Sequence, residues 1–143
     1  MVPDIEKVIA YYLRNHDGVT GTGARVVGKT PEDLSKPWVR VIRLDGQQND
    51  PADHVTGFLV QLDCYAGKGG GQPEANLIGR TVRAALRDMP GGSHTGAVVT
   101  ATRVVGDARI PDPDISPTRE RVVLTVEVVA HAAPAGSGSG SGG

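Results

Sequence analysis

The residues whose types and spacing most clearly suggest a chemical function match the G-x-x-x-x-G-K-T pattern of phosphate-binding loops: Gly23, Gly28, Lys29 and Thr30. In nucleotide-binding proteins this loop follows a buried strand, and its backbone N–H groups hold phosphates at the start of a helix. Here residues 18–22 form no hydrophobic strand, whereas residues 25–27, inside the match, themselves have the composition of a strand. Pro31 leaves little room for a helix, and no apolar strand ending in Asp follows to hold magnesium. A nucleotide-binding protein is therefore only a weak alternative.

The histidines and the lone cysteine do not form a recognisable site. The four histidines are scattered, without an i, i+4 pair or a cysteine pair, so a zinc site is not predicted: His16, His54, His94 and His131. Cys64 shares an apolar strand face with Phe58 and Leu62, which predicts a buried small hydrophobe and not a nucleophile.

Two charged groups have a functional and a structural interpretation. Three arginines on one flank of a predicted helix could bind phosphate: Arg80, Arg83 and Arg87. Such a triplet is more often a solvated helix flank, and we predict that here. Three aspartates could suggest a cation loop: Asp107, Asp112 and Asp114. The prolines between them and the missing glycine depart from EF-hand spacing, so a solvated acidic arm is predicted. The sequence thus predicts no catalytic, cofactor-binding or metal-binding residue, and no enzyme.

Length, charge and composition narrow the class of protein further. A chain of 143 residues fits one domain, and the 38% hydrophobic content can fill a single core. The net charge of −1 lacks the clustered excess of Lys and Arg that sequence-independent DNA binding needs. No run of apolar residues approaches the length of a membrane span, and the N-terminus has no signal-peptide pattern. With a single cysteine, the sequence predicts a protein of the reducing cytoplasm.

Two amphipathic helices are expected to position these groups. The first has one apolar stripe: Ile5, Val8, Ile9, Tyr12 and Leu13. Pro3 and Asp4 suit its first turn, and residues 15–18 should end it. The second helix starts near Pro73 and ends at residues 90–92, again with one stripe: Leu77, Ile78, Val82, Ala85, Leu86 and Met89.

Five strands are predicted from alternating or β-rich segments: residues 24–27, 38–44, 54–65, 97–105 and 119–132. In the third strand, four side chains share a face opposite Gln61 and Asp63: Phe58, Val60, Leu62 and Cys64. In the last, five share a face opposite Arg121, Thr125 and Glu127: Val122, Leu124, Val126, Val128 and Ala130. Residues 45–51 are expected to form a turn-rich connection.

The remaining segments are a long arm and a tail. Residues 106–118 contain three prolines that cannot donate to a ladder, which predicts a long hairpin arm: Pro111, Pro113 and Pro117. The sequence therefore predicts a single α+β domain over residues 1–132, followed by a flexible Gly/Ser tail over residues 133–143. The expected fold is a mainly antiparallel sheet of about four to five strands, with both helices on one face, in the order α-β-β-β-α-β-β.

The order of these segments resembles that of the tail terminator, or tail completion, proteins of long-tailed bacteriophages, especially phages of actinobacteria. The similarity is carried by the N-terminal helix PDIEKVIAYYLR, the strands PWVRVIRL and GFLVQLDCYA, and the helix EANLIGRTVRAAL. It covers about residues 1–132 and consists of pattern and order, without an invariant signature motif. No residue-level site carries over, because the family has no catalytic motif.

The resemblance implies a structural virion protein that acts as a ring of six copies. Such a ring caps the head-proximal end of the tail tube, ends tube polymerisation and forms the surface that joins the head. Its implied partners are further copies of the chain, the tail-tube protein and a neck or connector protein. DNA would pass through the ring without sequence-specific binding, and the protein would be assembled in the host cytoplasm. The alternatives within the virion are a head–tail stopper and a tail-tube subunit, of which the latter is more uniformly β-rich.

Overall fold

A computed structural model describes residues 4–44, 48–50, 55–110 and 120–132 of the chain. Three helices lie within these ranges: α1 (Ile5–Arg14), α2 (Asp17–Thr20) and α3 (Gly71–Arg87). The strands are β1 (Arg25–Val27), β2 (Trp38–Arg43), β3 (Gln48–Asp50), β4 (Val55–Tyr65), β5 (Gly92–His94), β6 (Ala97–Arg109) and β7 (Arg121–Ala132). Among the described residues, no helix is both long and apolar enough to cross a membrane.

The strands form one mixed sheet in the order β1-β2-β4-β7-β6-β5, and β3 pairs with β4 beside β2. Only the β1–β2 pair is parallel; the other pairs of described strands are antiparallel. The α+β class and the mainly antiparallel sheet are therefore confirmed. The strand count exceeds the expected four to five, because β3 and β5 are three-residue strands too short to give a periodic pattern.

The first helix follows the prediction, with one addition. The Asp4 carboxylate accepts a hydrogen bond from the Lys7 amide at 3.4 Å and so caps the N-terminus of α1. The helix ends at Arg14 with Asn15 as its C-cap, as expected, but the next residues do not form a plain stop. They form the short helix α2, which buries Val19 against the core.

The second predicted helix is confirmed as α3, with one face corrected. It begins at Gly71, two residues before the expected proline, and packs on β4, β6 and β7. Leu77, placed on the apolar stripe from the sequence, is 47% exposed. At about 100° per residue, Leu77 lies on the side of α3 opposite the buried Leu86, so its placement on the stripe was wrong. Gly79 is buried where α3 packs on β7, and a Cβ there would lie 2.9 Å from Val122 Cγ1.

One core lies between the helices and one face of the sheet. The predicted alternation of β4 and β7 is confirmed: Leu62 pairs with Val41 on one side and with Leu124 on the other, and all three are buried. Both α1 and α3 contribute their buried side chains to this same cluster, so they cover the same face. The Tyr12 hydroxyl donates to the Ala85 carbonyl oxygen at 2.6 Å and ties α1 to α3. Burial raises the pKa of this phenol, which therefore stays a donor.

Two predicted connections differ from the structure. Residues 45–51 were expected to be a turn, but β3 pairs with β4 within them. The arm expected over residues 106–118 begins inside β6, since Asp107 and Arg109 still pair with Leu124 and Val122. Residues 111–118 of that arm lie outside the described residues, as do residues 133–143 of the predicted tail.

Candidate functional site

The segment that matches the phosphate-binding loop has a different geometry from such a loop. Strand β1 occupies its interior, and Val26 packs into the core. No helix follows Thr30 in the described residues 28–37. Instead the Thr30 hydroxyl accepts a hydrogen bond from Arg40 Nη1 at 2.7 Å, while Lys29 is exposed. A cradle of N–H groups at a helix N-terminus is thus not formed here.

We therefore expect no saturable binding of ATP or GTP with magnesium by isothermal titration calorimetry. The matched control is Lys29→Ala, which removes the cation that contacts phosphates in a genuine loop. The expectation would be wrong if the protein gave a saturable isotherm that this substitution abolished.

Cys64 is fully buried in the core between Val39 on β2 and Val122 on β7. Burial, together with the charges of Asp63 and Asp107, raises the pKa of its thiol strongly. Because the thiolate is the reactive form, this side chain is unsuited to act as a nucleophile. It acts as a small apolar group in the sheet.

A thiol reagent should label Cys64 slowly in the native protein and completely in denaturant. The reason is both its burial and its raised pKa. The rate can be followed with a chromogenic disulfide, using an exposed-cysteine variant such as Val105→Cys as the matched control for reagent access. Native labelling of Cys64 as fast as that of the control would contradict the observed register of β4.

Two of the described histidines, His16 and His94, lie near each other in the fold. The rings of His16 and His94 both pack against Tyr12, with centroids 5.8 and 5.1 Å from it. Within the described ranges no three His, Cys, Asp or Glu side chains cluster as metal ligands would. His54 lies outside these ranges. The contacts with Tyr12 are packing contacts between α1, α2 and the β5 region.

A buried charge cluster lies on the sheet face opposite the helices. Asp63 is 0% exposed, and its carboxylate accepts hydrogen bonds from Arg40 Nη2 at 2.7 Å and from Gln61 Nε2 at 2.8 Å. Arg121 Nη1 lies 3.6 Å from the same carboxylate. Both guanidinium groups also lie within 6 Å of the Tyr65 ring centroid. The charge interactions among Arg40, Asp63 and Arg121 thus link strands β2, β4 and β7.

A small second hydrophobic cluster continues this face. The Trp38 ring stacks on that of Tyr65, with centroids 4.3 Å apart, and both side chains are fully buried. Val27 and Leu34 pack against the pair. The segment of residues 28–37 therefore covers one end of the sheet face opposite α1 and α3.

The arginine triplet predicted on a helix flank lines a groove of about 340 Å³ between α3 and β6. Arg80, Arg83 and Arg87 form one wall, and Thr102 and Val104 lie on the other. Arg83 Nη1 contacts the Asp107 carboxylate at 3.2 Å, whereas Arg80 and Arg87 make no ion pair with any described residue. The triplet is solvated, as expected. The sequence did not predict that β6 would lie opposite it.

The outer edge of β6 borders this groove. Strand β5 pairs with β6 only at positions 97–99, and no described strand pairs with the outer edge of residues 100–109. At the other end of the sheet the edge strand is β1. Arg14 Nε donates a hydrogen bond to the Val26 carbonyl oxygen of β1 at 3.0 Å and so occupies part of this edge. The described chain thus has one long open edge and one short, partly occupied edge.

Comparisons with known proteins agree with this architecture. A family model described as "Tail completion protein gp17" matches residues 8–131. Among solved structures, a chain from a "Virion of native gene transfer agent (GTA) particle" is similar, with a TM-score of 0.69 and 12% sequence identity. The match covers 90% of this chain and 95% of that one, and at this identity it establishes the fold alone. A search of curated proteins gave no significant match.

Proposed function

Because the chain belongs to the gp17 family of tail completion proteins, and so is a structural protein of the virion tail, we propose that it terminates the tail tube. In this role it caps the head-proximal end of the tube, ends polymerisation and forms the surface that joins the head. The observation that carries the proposal is the family match over residues 8–131. It covers both main helices and the sheet, and not an isolated motif.

The working form that we propose is a closed ring of six copies. A ring needs two different contact surfaces on each copy, so that the same contact repeats around the axis. The described sheet has such an asymmetry, with an edge along β6 that no described strand pairs and a short edge at β1 that Arg14 partly occupies. Both helices lie on one face, which leaves the sheet edges accessible to neighbours.

The charge of the chain is compatible with a ring through which DNA passes. A net charge of −1 gives no overall attraction for phosphates, because binding to a nucleic-acid backbone grows with the number of Lys and Arg contacts.

The helix content of the chain supports a tail terminator over a tail-tube subunit. Tube subunits are more uniformly β-rich, whereas this chain has the helices α1 and α3. The proposed partners are therefore the tube protein and a neck protein.

The test is electron microscopy of tails assembled with and without the protein. We expect tubes of variable, excessive length that do not join heads when it is absent. Adding back the purified protein should restore one tube length and head joining. The proposal would be overturned by tubes that keep one defined length and join heads equally well in its absence.

A further inference from the structure

The outer edge of β6 is suited to receive an extended segment of another chain. Residues 100–109 have no described partner strand on that side, and Val105 on this strand is 47% exposed. An unpaired edge offers a row of N–H and C=O groups to any strand that can complete the ladder. Two bulges, at Val99/Ala101 and Val104/Gly106, break its regularity, so the edge suits a short segment better than a long strand.

The groove beside this edge selects for negative charge. Arg80 and Arg87 are exposed and have no acidic partner among the described residues, while Arg83 is engaged with Asp107. A segment added to β6 would have one row of side chains on the helix side of the sheet, facing these arginines. That row should therefore be acidic.

Residues 111–118, with the sequence PDPDISPT, have this chemistry. Prolines occupy three of their odd positions, so those positions cannot donate a hydrogen bond. In an extended backbone the even positions point their N–H groups to one edge and their side chains to one face. Asp112 and Asp114 are both at even positions. The segment can therefore pair along one edge while presenting two carboxylates on a single face.

We propose that the outer edge of β6 and its arginine groove bind residues 111–118 of a second copy of this chain. This inference rests on the proposed ring and names the contact that repeats around it. One segment per copy fills one groove per copy, which is the head-to-tail arrangement that a ring requires. The prolines on the other edge of the segment would prevent further strands from adding to it.

The geometry favours a second copy over the same chain. The Ile110 amide donates to the Arg121 carbonyl oxygen at 3.1 Å, so the segment must start and end at this point of its own hairpin. Nine residues reach at most about 15 Å outward if they must also return. The Thr102 hydroxyl donates a hydrogen bond to the Leu86 carbonyl oxygen, so Arg87, the next residue of α3, lies near position 102 of β6. Position 102 is about 23 Å along the strand from Arg109. A segment from the same copy cannot run the length of the groove.

The test uses two charge-reversal variants and their mixture. Variant one carries Asp112→Lys and Asp114→Lys; variant two carries Arg80→Glu and Arg87→Glu. Self-association is measured by sedimentation velocity up to the highest concentration that the protein tolerates. Lys29→Glu with Lys36→Glu, both exposed on a different surface, is the matched control for a change in net charge. Circular dichroism shows that each variant folds.

We expect the wild type and the control to associate, and each reversal variant alone to associate at least about tenfold more weakly. An equimolar mixture of the two variants should recover association, because each reversed segment then meets a reversed groove and each native segment a native groove. A wild type that stays monomeric, or single variants that associate like the wild type, would overturn the proposal. So would weakened variants that the mixture does not rescue, since contacts within one copy cannot be restored by mixing.

These outcomes separate the contact from the function. If the variants associate normally and the wild type still terminates tubes, the contact is wrong and the proposed function stands. If the mixture rescues association but tails without the protein keep their length and join heads, the contact stands and the terminator role is wrong.

Discussion

Replacing Trp38 with alanine is expected to lower the free energy of unfolding by about 3–5 kcal/mol. The indole is fully buried on the sheet face opposite α1 and α3, and it stacks on Tyr65. Its removal would open a cavity beneath the segment of residues 28–37, where Leu34 also loses its packing partner. Urea denaturation followed by circular dichroism measures the change.

The matched control is Trp38→Phe. The indole N–H is buried and has no hydrogen-bond partner within the described residues, so phenylalanine removes a polar group without breaking a described bond. It also keeps a ring against Tyr65. We expect less than half of the alanine effect. Equal losses for the two variants would show that ring stacking does not hold this end of the sheet.

Removal of the Asp63 carboxylate is expected to cost about 3–5 kcal/mol of stability, because it leaves buried charge uncompensated. In Asp63→Ala, Arg40 and Arg121 lose the carboxylate that lies between them, while their side chains remain only 21% and 14% exposed. Urea denaturation again gives the free energy of unfolding, and an unchanged slope would show that the unfolded state is not altered.

A second ion pair across the sheet provides the control. Arg103 and Glu127 pair across β6 and β7, but their side chains are 72% and 49% exposed. Glu127→Ala should therefore cost about 0–1 kcal/mol, and added salt should reduce that loss. If Asp63→Ala were no more damaging than Glu127→Ala, burial of the carboxylate would contribute nothing to holding the three strands together.

The periodic parts of the fold were predictable from the sequence. Alternation in β4 correctly placed Leu62 and Cys64 on the core face, because a half-buried strand imposes a period of two. The apolar stripe of α1 was also predicted correctly, because a helix with one buried face imposes a period of about 3.6 residues. Leu77 was misplaced because a helical period of about 3.6 residues puts it on the side of α3 opposite Leu86, which is buried.

Features that depend on which strands become neighbours were not predictable. Asp63 was correctly placed on the polar face of β4, but nothing in its local sequence indicated complete burial. That burial arises because β2 and β7 bring Arg40 and Arg121 to either side of it. The groove at Arg80 was missed for the same reason, since β6 becomes its other wall only in the folded sheet. Short strands such as β3 contain too few residues to show a period.

The position of β7 in the sheet has a consequence for how the chain folds. The last described strand pairs with β4 through ten residue pairs, from Thr56–Ala130 to Tyr65–Arg121, although α3 and β6 lie between the two strands in sequence. A contact between such distant segments has a high entropic cost of loop closure, which slows folding. During synthesis, α1, β2 and β4 leave the ribosome long before the strand that completes their sheet. Folding is therefore expected to finish only after the C-terminal part of the chain is released, so an unfinished chain would lack the central ladder.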